Sequence, residues 1–128
     1  MKAETEKVTL NMNSMDLAYI DLLVEQGYYQ NRTDFLKKAV SSQLETKETA
    51  ISEAISQLKS RKTISIGVVY IDGEFSEAEI QPAEELVVVG FLMIDKRAAI
   101  AEMKQHYSKI TVYGVVKAST EIKQAYQL

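Results

Sequence analysis

The chain opens with a two-residue rhythm. Through KVTLNMN, residues 7–13, apolar Val8, Leu10 and Met12 alternate with polar Lys7, Thr9 and Asn11, which is the period of a strand that buries one face. The spacing then lengthens to three and four. Leu17, Ile20, Leu23 and Val24 predict a helix of about three turns. Asn13 and Ser14 are N-cap candidates, Asp16 suits the dipole in the first turn, and Gly27 stands where a left-handed cap is needed. After GYYQ a second helix begins: Asn31 can cap it, Asp34 completes a box-like start, and Phe35, Leu36, Ala39, Val40 and Leu44 form its stripe. Ile51, Ile55 and Leu58 extend helical spacing towards Ser60, with or without a break.

Beyond Gly67 the texture changes to valine- and isoleucine-rich runs separated by charged stretches. SIGVVYID (65–72), VVGFLMID (88–95) and VYGVVKAS (112–119) superpose on Gly67, Gly90 and Gly114, an internal repeat. Each run reads as a strand followed by a short helix, at roughly 75–86, 96–107 and 120–127, with Ser119 or Thr120 capping the last. Strand-then-helix repetition predicts parallel strands. The rival reading takes Asp72-Gly73 as a two-residue hairpin turn and makes the region antiparallel. The expected organisation is residues 1–46 as one domain, 47–63 as a helical connector and 64–128 as a β/α repeat module, α+β overall.

Charge complicates any nucleic-acid reading. The 128 residues carry a formal net charge of −3, and over residues 1–47 six basic side chains face seven acidic ones, whereas a DNA-binding surface is usually basic. No window approaches a membrane span, and MKAETEK is too acidic and polar for a secretory signal, so a cytoplasmic protein is expected. Absence of cysteine rules out disulfides and thiolate metal sites.

A short strand, a capped helix, a glycine turn and a second helix opening N-R-T-D-F-L resemble the ribbon-helix-helix DNA-binding proteins of the MetJ/Arc/CopG kind, over residues 5–45. The most specific part is KVTLNMN followed by GYYQNRTDFLKKAV. The resemblance implies an intertwined homodimer whose two strands pair into an antiparallel ribbon. About 40 residues with one unpaired strand cannot bury a sufficient core alone, which agrees with that picture. Val8, Leu10, Met12, Leu17, Ile20, Leu23, Phe35, Leu36 and Val40 would form the dimer core. Lys7, Thr9 and Asn11 would face the major groove of double-stranded DNA as base contacts. Asn31, Arg32, Thr33 and Lys37 would hold phosphate at the start of the second helix. Lys38, Arg61 and Lys62 are further cationic candidates. The C-terminal repeats resemble a module of some bacterial members, implying no chemistry; joining dimers, binding a protein partner or simple stabilisation all fit it.

Catalytic signals are missing. His106 is the sole histidine, expected to be a partly exposed helical residue, which argues against the nickel-sensing members of the superfamily. No phosphate-binding glycine loop occurs. Glu77/Glu79 and Glu84/Glu85 read as solvated carboxylates, and Asp72 and Asp95 as turn or cap residues. The expectation is a non-enzymatic regulator, most simply a repressor, with no metal or cofactor. Two other classes remain: a scaffold that uses the first module only to dimerise, and an antitoxin-like regulator.

Overall fold

The computed structural model describes residues 5–60, 62–75 and 83–128. The elements run α1 (Ser14–Glu25), α2 (Arg32–Glu45), α3 (Glu48–Lys59), β1 (Thr63–Ile71), β2 (Glu84–Ile94), α4 (Ile100–His106), β3 (Tyr107–Lys117) and α5 (Thr120–Tyr126). The chain divides into two compact units, Lys7–Ala54 and a second that takes in Ile55 to the C-terminus.

In the first unit each helix end is specified locally. The Asn13 side chain accepts the Met15 amide at 2.8 Å and starts α1. At its end Gly27 takes φ +89°, the Gly27 amide donates to the Val24 carbonyl and the Tyr28 amide to that of Leu23. These two bonds define a Schellman cap, which only a residue at ease with positive φ can close. Asn31, fully extended, accepts the Asp34 amide at 2.8 Å, and the Asp34 carboxylate reaches back to the Gln30 amide at 3.1 Å. A break at Thr46–Lys47 separates α2 from α3.

The second unit is a three-stranded parallel sheet in the order β1-β2-β3. The Asp72-Gly73 hairpin is thereby excluded; Asp72 instead accepts the Glu74 amide in a local turn. The repeat is structural as well as sequential. Gly67, Gly90 and Gly114 are register partners across all three strands and take φ of +112°, +138° and +125°. A Cβ on Gly90 would run into the Gly67 carbonyl, and one on Gly114 into the Gly90 carbonyl. The row therefore needs glycine for both conformation and space.

One face of the sheet carries the core. Leu86, Val88, Leu92 and Ile94 of β2 pack with Ile71, Ile110, Ala98, Met103, Ile122 and Tyr126, so α4 and α5 lie on the same side. Tyr126 anchors α5 by donating its hydroxyl to the Tyr107 carbonyl at 2.8 Å, and Ser119 caps the helix through the Ile122 amide.

Several expected boundaries move. The helix expected at 75–86 lies largely outside the described residues, as do Glu77 and Glu79, and its described end, Glu84–Leu86, is strand. The two glutamates are tied into the sheet: Lys62 pairs with Glu85 at 2.8 Å, and the Thr63 hydroxyl donates to Glu84 at 3.2 Å. Glu84 and Glu85 both remain exposed, as solvated carboxylates are expected to be. The helix expected at 96–107 starts only at Ile100, because Asp95 accepts the Arg97 amide at 2.8 Å and holds residues 95–98 in a turn. Tyr107, read as the helix end, begins β3.

Candidate nucleic-acid interface

The segment expected to be a strand belongs to no ladder within the single chain, and its apolar side is bare: Val8 is 82% and Leu10 66% exposed, with Met12 half-buried. Lys7, Thr9 and Asn11 are exposed as well. The other expected core residues divide. Ile20 is buried, Leu17, Leu23, Phe35 and Leu36 are half-buried, and Val40 is exposed. Leu22 and Leu44 are more than half exposed too. This unit leaves much of its apolar stripe in water, a cost that a lone 48-residue unit does not recover.

The turn between the helices is braced from several sides. Arg32 grips Asp21 with two parallel bonds, Nε to Oδ1 and Nη2 to Oδ2, both 2.8 Å, linking α2 to α1. The guanidinium pulls the Asp21 carboxyl below its usual range. Asp34 is lowered chiefly by the Gln30 amide and then by Lys38, whose Nζ lies 3.1 Å away. Lys38 also sits over the Tyr29 ring, and Tyr29 meets Phe35 edge-on at 4.9 Å.

These contacts separate the expected phosphate ligands. Arg32 is committed to Asp21, Lys38 to Asp34 and Lys62 to Glu85, and Arg61 lies outside the described residues. Asn31 spends its side-chain oxygen on the cap. At the start of α2 the amides of Arg32 and Thr33 have no partner among the described residues, and the Thr33 side chain is exposed beside them. Lys7 and Lys37 are exposed and form no ion pair among the described residues. The intrachain partners of Arg32, Lys38 and Lys62 were missed from sequence. For Lys38 the signal was available in the Asp34/Lys38 spacing of four; for the other two it was not local.

His106 is half-buried at the end of α4 and stacks on Phe75 at 4.4 Å between ring centres. Among the described residues no group of three or more His, Cys, Asp or Glu side chains could hold a metal ion, and no helix is long and apolar enough to cross a membrane.

Two helices joined by a glycine-capped turn follow an alternating segment whose apolar side is exposed. Residues 3–123 match the ribbon-helix-helix transcriptional regulator family, so the chain belongs to that family. The match spans the second unit as well as the first. Comparison with curated proteins and with solved structures finds no significant match.

Proposed function

We propose that the protein is a homodimeric, cytoplasmic DNA-binding repressor that reads the major groove with a two-stranded antiparallel ribbon built from residues 7–12 of two chains. The observation that carries this reading is the bare alternating segment, with Val8 and Leu10 exposed beside a helix pair whose own stripe is open. Pairing two such segments satisfies the unpaired backbone and turns Val8, Leu10 and Met12 onto Leu17, Ile20, Leu23, Phe35, Leu36 and Val40 of both chains. The outer face then offers Lys7, Thr9 and Asn11 twice. Lysine suits guanine O6/N7, asparagine suits adenine, and threonine suits a hydroxyl contact or a thymine methyl.

The free amides of Arg32 and Thr33, at the positive end of α2, are the proposed phosphate seat, with the Thr33 hydroxyl and Lys37 adding donors. Asn31 and Arg32 act there chiefly by fixing the turn. The protein needs no metal or cofactor in this role and performs no catalysis. The domains of the proposal are 1–46 for DNA and dimerisation, 47–63 as connector and 64–128 as an association module.

A second reading is favoured by the acid excess over residues 1–47: the first unit serves only to dimerise a scaffold. Selection of bound duplexes from a random pool separates the two. Enrichment of a short motif with dyad or direct-repeat spacing supports the regulator, and no enrichment supports the scaffold.

A further inference from the structure

We draw no further inference here: the strongest candidate, the apolar sheet face turned away from α4 and α5, where Ile66, Val68, Tyr70 and Tyr113 are exposed, carries nothing because nothing in the structure shows what covers it.

Discussion

Salt dependence of DNA binding follows from which cations the fold leaves uncommitted. Arg32 and Lys38 are paired within the chain, whereas Lys7 and Lys37 form no ion pair among the described residues. Two per chain gives about four in the proposed dimer, and with a slope of about −0.9 per neutralised phosphate the binding constant should fall with salt at a log–log slope near −3.6. Between 50 and 200 mM salt that is a loss of about 150-fold. Asp21→Asn releases both guanidinium groups, raising the count to about six and the slope to about −5.4, a loss of about 2,000-fold over the same range. Both partners of the pair are about half exposed, so the substitution leaves the helices folded, which circular dichroism checks. The assay is fluorescence anisotropy with a labelled duplex at four or five salt concentrations. A wild-type slope near zero refutes phosphate engagement altogether. An unchanged slope for Asp21→Asn refutes the claim that Asp21 withholds Arg32 from DNA.

Other substitutions probe the two units separately. Gly90→Ala places a Cβ against the Gly67 carbonyl at φ +138° and should destabilise the second unit by about 3 kcal/mol, seen as a lowered midpoint in denaturant. Asn31→Ala removes the α2 cap and should cost about 1 kcal/mol, read from thermal unfolding of the first unit. Burial pushes the Tyr126 hydroxyl up to about 12, while an unfolded tyrosine titrates near 10. Between those values the unfolded chain releases a proton that the folded chain keeps, so stability falls as pH rises from about 10 to 12. Tyr126→Phe should make that fall shallower, at a neutral-pH cost of about 1 kcal/mol for the lost bond to the Tyr107 carbonyl.

Features set by near neighbours in the chain were readable from the residues alone. Asn13, Gly27 and Asn31 act on amides or carbonyls two to five residues away, so their types and spacing announce the helix ends. The glycine repeat was equally legible, since the same backbone demand recurs at each strand, and parallel strands follow from it. What escaped were contacts across sequence. Glu84 and Glu85 carry helix-like polarity yet sit in β2, since Thr63 and Lys62, more than twenty residues earlier, supply their partners. Arg32 looked like a phosphate ligand because nothing nearby in sequence reveals Asp21 eleven residues before it. The alternating segment 7–12 forms no ladder among the described residues, and under the proposed function its pairing partner is the same segment of a second chain.

The claim that the alternating segment reads bases is tested most directly by titrating the selected duplex and a scrambled duplex with wild type and with Thr9→Ala/Asn11→Ala. Wild type should prefer the selected site, and the double variant should lose about 1–3 kcal/mol of that preference per base contact while keeping its affinity for the scrambled duplex. Equal preference in wild type and variant would contradict the account.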